Sequence, residues 1–388
     1  MSNFMIPFNK PYLHGKELVY ISQALASGQI SGDGIFTRKC HEFFETKYGF
    51  KKVLLTTSCT DALEMAAILL DIQPGDEVIA PAYTFVSTVN AFVLRGAKII
   101  FADSCVDHPN IDPLEVERLI SSKTKAIVVV HYAGVACDMD AIMAVAEQYN
   151  IPVIEDAAQA IDSYYNGKPL GSIGTFGTFS FHATKNIVAG EGGLLVINDE
   201  RYIQRAEIIR EKGTNRSSFF RGEVAKYGWV DIGSSFLPSD IIAAYLYAQL
   251  DNLDLVQSKR KDIWQYYYHR LSNVLANTKI LLPKISTSDD NNAHMFYLIC
   301  ENLEQRTLLI NYLKDNDIYA AFHYLSLHES EYFKDRYTGT PLKNSDFFSN
   351  CLIRLPLYFD LTLNDVDKVC DCIEKFVSNK NEHRGVNG

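Results

Sequence analysis

KAIVVVHYAGVACDMDAIMAVAEQYNIPVIEDAAQA, residues 125–160, is the stretch on which the fold turns. Its first part, KAIVVVHYAG (125–134), is almost continuously apolar and β-branched, which predicts a strand covered on both faces. From Asp138, DMDAIMAVAEQYN carries apolar residues at helical spacing, and PVIEDAA (152–158) returns to a strand pattern. Strand, helix and strand at this length make a crossover unit, and crossovers join parallel strands.

The same alternation extends in both directions. Strands are predicted at KVLLT (52–56), DEVIAPA (76–82), AKIIFAD (97–103), GTFGTFSFH (174–182) and GLLVIND (193–199). Helices are predicted at TDALEMAAILLDI from Thr60 and at TFVSTVNAFVLRG from Thr84. The fold class that follows is α/β: a large, mostly parallel sheet between helices. Short turns between the last strands predict a mixed sheet. After about residue 240 the pattern changes to one long helical stretch, DIIAAYLYAQLDNLDLVQSKRKDIWQYYYHRLSNV. Strand and helix signals follow at HMFYLIC (294–300), EQRTLLINYLKDN, DIYAAFHY, CLIRLPLY and LNDVDKVCDCIEKFV. The expected division is a large domain over 1–245, including the N-terminal segment, and a small α+β domain over 246–388. The polar end NKNEHRGVNG is expected to fray.

Bulk properties narrow the function classes. A chain of 388 residues with 47% hydrophobic and 22% charged residues reads as globular. Its net charge of −10 lacks the basic footprint that nucleic acid requires. A small phosphorylated ligand stays open, because backbone amides can hold one. The cysteines (Cys40, Cys59, Cys105, Cys137, Cys300, Cys351, Cys370, Cys372) show neither a CxxC pair nor metal-ligand spacing. No disulfide framework and no metal site are predicted, and a reducing cytosol fits. The N-terminus lacks an uninterrupted apolar leader, and no run reaches membrane-spanning length. The expectation is a cytoplasmic protein without membrane partners.

In open α/β sheets, ligands collect beyond the carboxyl ends of the strands. After KVLLT come Ser58, Cys59 and Thr60, where a helix start offers free amides to a phosphate or a hydroxyl simply caps the helix. Tyr83 and Phe85 follow DEVIAPA, either to stack on a flat cofactor or to pack in the core. Asp156 ends an apolar strand; it would balance a cationic ring nitrogen or cap a helix. Alternation turns Glu155 to the opposite side. In FSFHATKNIVAGEGG (179–193), Lys185 is a solvated lysine or a desolvated nucleophilic amine. Gly190, Gly192 and Gly193 then offer a tight turn into the next strand. A phosphate cradle, a stacking ring, an acid for a ring nitrogen and an amine together make a pyridoxal phosphate site.

In this order, SCT, YTFVST, EDAAQ, FSFHATK and GEGG resemble the vitamin-B6-dependent sugar aminotransferases of the DegT/DnrJ group. The likeness runs from about Ile6 to the last helix. It implies the fold-type-I architecture of aspartate aminotransferase and the cofactor pyridoxal 5'-phosphate. It further implies that Lys185 binds the cofactor aldehyde and moves the proton, and that Asp156 pairs with the ring nitrogen. Phe85 would stack on the ring, Gln159 would contact its phenolic oxygen, and Ser180, Cys59 and Thr60 would hold the phosphate. The family's cross-subunit asparagine corresponds to Ser235 in GSSFLPSD, with Leu237 where an arginine is usual. Ser326-Leu327-His328 stands where the family has Pro-Leu-His. Family members acting as dehydratases carry a histidine in the slot of Lys185, so the resemblance implies transamination and leaves His182 a packing or supporting role.

Four stretches carry a narrower likeness, among them DIQPGDEVIAPAYTFVSTVNAFVLRGAK and AEIIREKGTNRSSFFRG. They imply amination of the 4-keto group of dTDP-4-keto-6-deoxyglucose by L-glutamate, giving dTDP-4-amino-4,6-dideoxygalactose. Such products enter cell-surface polysaccharides such as O-antigen or enterobacterial common antigen. Tyr83, Arg216, His323 and Tyr324 are the candidates for sugar or nucleotide contacts, Arg216 being equally readable as a solvated loop charge. A homodimer with the site between subunits is implied. Amination of the opposite sugar face, or of the 3-position, are alternatives of the same class. A non-catalytic regulator on this fold is the alternative of another class, and Lys185, Asp156 and Gln159 together argue against it.

Overall fold

Seven predicted apolar runs become one sheet in the structure, a computed structural model that describes residues 5–284 and 289–384. The strands are β1 (Val53–Thr56), β2 (Glu77–Pro81), β3 (Lys98–Ala102), β4 (Thr124–Val130), β5 (Val153–Asp156), β8 (Phe176–Ser180) and β9 (Gly193–Ile197). Their order is β1-β9-β8-β5-β4-β2-β3. The pairings from β8 through β5, β4 and β2 to β3 are parallel, and β9 runs against both its neighbours. The sheet is therefore mixed because of a single reversed strand, and the carboxyl ends of the other six lie on one edge. Two short strands absent from the sequence reading, β6 (Tyr164–Tyr165) and β7 (Lys168–Pro169), pair with each other, and β6 also pairs with β10 (Asp289–Asp290). They are too short for periodicity to register.

Both sheet faces are buried, which is why the apolar residues of these strands run consecutively rather than alternately. On one face, Leu54, Val78, Ala80, Val128, Ile154 and Leu195 pack with α3 (Cys59–Leu69), α4 (Ser87–Val93) and α7 (Ile203–Arg210). On the other face lie two clusters. Val53, Leu55, Phe179 and Val196 meet α1 (Glu17–Ala26), α2 (Ile35–Tyr48) and α9 (Asp240–Leu250). Ile79, Ile127 and Val129 meet α5 (Pro113–Leu119) and α6 (Met139–Tyr149). The crossover of residues 125–160 is realised as β4, α6 and β5, with the Asp138 carboxylate capping α6 at the Ala141 amide. The helix expected from Thr84 begins at Ser87, three residues later.

The single long helix expected after residue 240 is two helices, α9 and α10 (Leu253–Leu275), separated at Asp251 and Asn252. Asp and Asn are weak helix formers, and Asn252 leaves the helical region with φ −118° and ψ 14°. Asp251 also accepts from the Tyr20 hydroxyl at 2.5 Å, so a tertiary contact holds the break. Along α10 the packing passes from one core to the next. Leu253 and Val256 join the large-sheet cluster, whereas Ile263, Tyr267 and Leu271 join a separate cluster. That second core contains β11 (Phe296–Ile299), β13 (Leu352–Leu355), α11 (Leu303–Asp315) and α13 (Leu363–Arg384). The division expected after residue 245 would cut α9, and packing favours a division within α10. Ile6 belongs to the second core and pairs with Ile318, whereas Tyr12 and Tyr20 pack with the large-sheet cluster. A three-stranded sheet, β11-β13-β12, adds β12 (Ala321–Phe322); α12 (Lys343–Cys351) leads into β13. The end expected to fray is helical through Arg384, and residues 385–388 lie outside the described residues. Among the described residues, no helix is long and apolar enough to cross a membrane.

Candidate active site

A cavity of about 560 Å³ opens at the shared carboxyl edge of the strands, and the elements around it can be built up one by one. β1 ends at Thr56, and the chain turns through Ser58 into α3. Ser58 is extended (φ −157°, ψ 165°) and its Oγ accepts from the Asp61 amide at 3.1 Å, a helix cap. The Cys59 and Thr60 amides, first in the helix, have no partner among the described residues and border the cavity. Thr60 Oγ1 donates to Ser87 Oγ at 2.8 Å, tying the starts of α3 and α4 together. Gly193 opens β9 directly beneath: a Cβ there would lie 2.3 Å from the Ser58 carbonyl, so only glycine allows this approach. Ser180, at the end of β8, completes the rim. A small dianion suits such a cradle of free amides and hydroxyls.

Across the cavity, β5 ends in Asp156. Its Oδ2 accepts from Thr88 Oγ1 at 2.8 Å and its Oδ1 from the Ala158 amide at 3.1 Å. The chain continues in a turn rather than a helix, so the capping alternative does not apply. Burial pushes the Asp156 carboxyl above its usual range, because neither partner carries a charge. Lys185 acts on this carboxylate through space, but no ion pair reaches it among the described residues, and a protonated ring nitrogen would supply one. Glu155 points the other way as alternation requires. It is buried against His131 Nε2 (3.0 Å) and the amides of Gly171, Ile173 and Gly174.

Lys185 sits on a loop that closes on itself. The Ala183 amide donates to Gly190 O (3.0 Å) and the Ala189 amide to Phe181 O (2.7 Å). Gly190 makes the turn with φ +79°, where a side chain would be strained; Gly192 has no such requirement. The next residue, Asn186, is buried and anchors the loop. Its Nδ2 donates to Gln257 Oε1 and Asn292 O, both at 2.9 Å, and its Oδ1 meets His294 Nδ1 at 2.8 Å. The Lys185 amine borders the cavity and has no hydrogen bond or ion pair among the described residues. Burial pushes its pKa down, against the opposing pull of Cys59 and Asp156. The Cys59 thiol is pushed up by the same burial and stays neutral.

The cavity thus brings together Ser58, Cys59, Thr60, Phe85, Asp156, Gln159, Ser180, Lys185, His323 and Tyr324. Gln159 accepts from the Ala133 amide at 2.6 Å and donates to the Tyr324 hydroxyl at 3.0 Å, so its amide is oriented from both ends. The His323 ring stacks on Tyr324 at 3.6 Å and meets the Tyr132 hydroxyl at 2.9 Å.

Three expected contacts lie outside the cavity. Tyr83 is fully buried behind it, its hydroxyl donating to His323 O, and it can only support that residue. Arg216 starts the short helix α8 (Arg216–Phe220), half exposed, 3.7 Å from Glu211. Ser235 is exposed and bridges to Glu211. His182, expected to pack or to support, is instead exposed on the cavity rim, its Nδ1 3.0 Å from Thr184 Oγ1. Sequence reasoning missed Thr88, His294 and Arg354, which all border the cavity. Arg354 had a readable signal: a lone charge inside the apolar strand run CLIRLPLY, the same kind of signal that singled out Asp156.

The comparisons agree with this geometry. The model of the DegT/DnrJ/EryC1/StrS aminotransferase family matches residues 11–374. The structure is similar to Spr1654 from Streptococcus pneumoniae, described as a sugar aminotransferase and solved in PMP and PLP forms. In the PMP form it has 28% identity and a TM-score of 0.89, over 97% of this chain and 99% of that one. It is also similar to the aminotransferase TlmJ from Streptoalloteichus hindustanus (26%, TM-score 0.88, 97% and 100% covered). DesV from S. venezuelae is a third (27%, TM-score 0.86, 96% and 98% covered).

Proposed function

The chain belongs to the DegT/DnrJ/EryC1/StrS aminotransferase family, pyridoxal-phosphate enzymes of fold type I, and from that premise we propose its substrates and the work of each residue. The donor is L-glutamate and the acceptor is the 4-keto group of dTDP-4-keto-6-deoxyglucose, giving dTDP-4-amino-4,6-dideoxygalactose in the cytoplasm for surface polysaccharide synthesis. The observation that carries the reading is the pairing, in one cavity, of an unpartnered amine at Lys185 with a buried carboxylate at Asp156 that no ion pair reaches among the described residues.

Pyridoxal phosphate supplies the electron sink that lets an amino group pass between carriers. The protein's part follows from its own groups. The Cys59 and Thr60 amides with the Ser180 hydroxyl would hold the phosphate, and Ser58 keeps those amides in place by capping α3. Asp156, oriented by Thr88 and Ala158, would balance the ring nitrogen charge. Phe85 would cover one ring face, and Gln159 would reach the phenolic oxygen from its fixed orientation. Lys185 Nζ would hold the cofactor aldehyde and, when free, would carry the proton from the donor α-carbon. Desolvation helps here, since it keeps part of the amine population neutral. His323 and Tyr324 face the sugar from the β12 side.

With L-glutamate and dTDP-4-keto-6-deoxyglucose, NMR of the product is expected to show an axial amine at the 4-position. An equatorial amine there, or an amine at the 3-position, overturns the substrate assignment.

We also propose a homodimer. Supporting it, Phe220 (69% exposed), Trp229 (82%) and Val230 (55%) are exposed apolar side chains on the segment that carries Arg216 and Ser235. Surfaces of this kind are covered in stable assemblies. Light scattering is expected to give twice the chain mass, and a monomer at assay concentration would sink this part.

A further inference from the structure

His294 borders the cavity with Lys185, and its surroundings fix which of its two ring nitrogens carries the hydrogen. The assignment starts from a backbone carbonyl, which can only accept. Asn292 O lies 2.9 Å from one terminal atom of Asn186, so that atom is the amide nitrogen, and its other hydrogen goes to Gln257 Oε1 at 2.9 Å. Gln257 is oriented in turn, because its Nε2 donates to Ile161 O at 3.4 Å. The Asn186 oxygen therefore faces His294 Nδ1 at 2.8 Å, and an oxygen there requires Nδ1 to donate. Asn186, Gln257, Asn292 and His294 are all buried, so water does not compete for these bonds. Burial, with the positive charges of Lys185, Arg354 and Arg260 close by, holds the imidazole pKa well below its usual range, and the ring is neutral. A neutral ring with its hydrogen on Nδ1 has a bare lone pair on Nε2. Nε2 has no hydrogen-bond partner among the described residues.

The backbone that carries this ring is equally constrained. Arg260 Nε donates to Ala293 O (3.1 Å) and its Nη2 to His294 O (2.7 Å), while Asn292 Oδ1 accepts from the His294 amide (3.0 Å). Asn186 directly follows Lys185, so the residue that orients the imidazole belongs to the lysine loop itself. A bare imidazole nitrogen repels an anion and suits a donor. The Lys185 amine is such a donor, bordering the same cavity without a partner among the described residues. Asp156, the carboxylate that also acts on it, is already committed to Thr88 and the Ala158 amide. A lysine amine on its flexible four-carbon stem has a second position open to it once it leaves the cofactor. We propose that His294 Nε2 accepts a hydrogen bond from the Lys185 amine when the cofactor occupies the cavity without holding the lysine. His294 is then a positioning residue that keeps the released amine beside the reacting carbon. The proposal rests on the transaminase reading above.

Two substitutions separate the nitrogens. Asparagine can set its amide where Nδ1 stands and has no acceptor at the Nε2 position; glutamine does the reverse. The readout is acetylation of Lys185 by acetic anhydride as a function of pH, followed by mass spectrometry of its peptide. The enzyme is loaded with pyridoxamine phosphate, which has no aldehyde to engage the lysine. A neutral acceptor favours the ammonium, so its loss favours the neutral amine. The Lys185 midpoint is expected to fall by about one pH unit in His294→Asn and to stay near the wild-type value in His294→Gln. Cys59, Asp156 and Arg354, the charged and titratable groups acting on Lys185, are the same in both variants. Nitrogen NMR of cofactor-free wild type, labelled in histidine, should place the His294 hydrogen on Nδ1. A hydrogen on Nε2 overturns the proposal. So does an unchanged midpoint in His294→Asn, which would assign Nε2 to a donor on the substrate if sugar binding weakens. Equal shifts in the two variants also overturn it, because the ring would then serve only to pack the loop. A wild type that binds neither form of the cofactor would sink the transaminase reading instead, and the NMR measurement would still report which His294 nitrogen is bare.

Discussion

Lys185→Ala is expected to abolish transamination, lowering kcat/KM by about 10⁴-fold or more, because nucleophile and proton carrier are lost together. Purified with pyridoxal phosphate, the variant should lack the visible absorbance of lysine-bound cofactor. An undiminished band would show that another amine binds the cofactor. The fold should survive, since the loop is held by Asn186 and its bonds to Gln257, Asn292 and His294, none of which involve the lysine amine. The cofactor-free protein offers a second signature. Burial holds the Lys185 pKa below the ordinary 10.5, so the unfolded chain keeps this proton to higher pH than the folded one. The lysine's contribution to stability is then greatest above 10.5 and is lost as pH falls through the depressed folded value. The melting temperature of wild type relative to Lys185→Ala should therefore rise with pH from neutrality toward 10.5. A pH-independent difference would mean the amine is solvated.

Asp156→Asn should separate stability from function. Activity is expected to fall about 10³-fold, the scale for removing one preorganised electrostatic group from an active site. Cofactor affinity should fall with it. The cofactor-free variant, however, should be more stable than wild type at neutral pH, by about 1 kcal/mol. The carboxylate is buried with only a hydroxyl and an amide as partners, and burial raises its pKa above 3.8. Its unfavourable effect on the folded state appears as pH rises from 3.8 through that raised value. The gain from asparagine should accordingly shrink as pH falls toward 3.8. Thermal melts of both proteins without cofactor decide the matter, and a variant less stable at neutral pH would contradict this account. The wild type would then be a case of stability given up at a site that becomes neutralised only when its ligand is bound.

Much of this arrangement was legible in the sequence because it depends on local order. A buried parallel sheet demands apolar runs at every strand position, so residues 125–160 announced a crossover without any tertiary information. Ligand positions at strand ends follow from topology, which is why Thr60, Asp156 and Lys185 could be singled out from three separate stretches, whereas Ser180 came only from the family resemblance. Ser58 shows a different outcome, since its capping reading leaves the cradle proposal intact: the hydroxyl caps α3 and leaves the Cys59 and Thr60 amides at the cavity. Tyr83 shows the limit. Two residues before Phe85 it carries the same aromatic signal, yet Phe85 is 55% exposed at the cavity and Tyr83 is 1% exposed behind it. Nothing in the local pattern distinguishes them.

By itself, then, the sequence determined the sheet, the edge at which the cavity opens and the amine and acid proposed to act there, since hydrophobic periodicity and turn chemistry are properties of neighbouring residues. Only the tertiary structure decided what faces them from the small sheet. Arg354 and His294 reach Lys185 across separations of more than a hundred residues, and Phe8 reaches Arg354 from the other end of the chain. The break at Asp251, held by Tyr20, is of the same kind. Contacts between distant segments are fixed by how cores pack against each other, and packing leaves no period in the sequence to read.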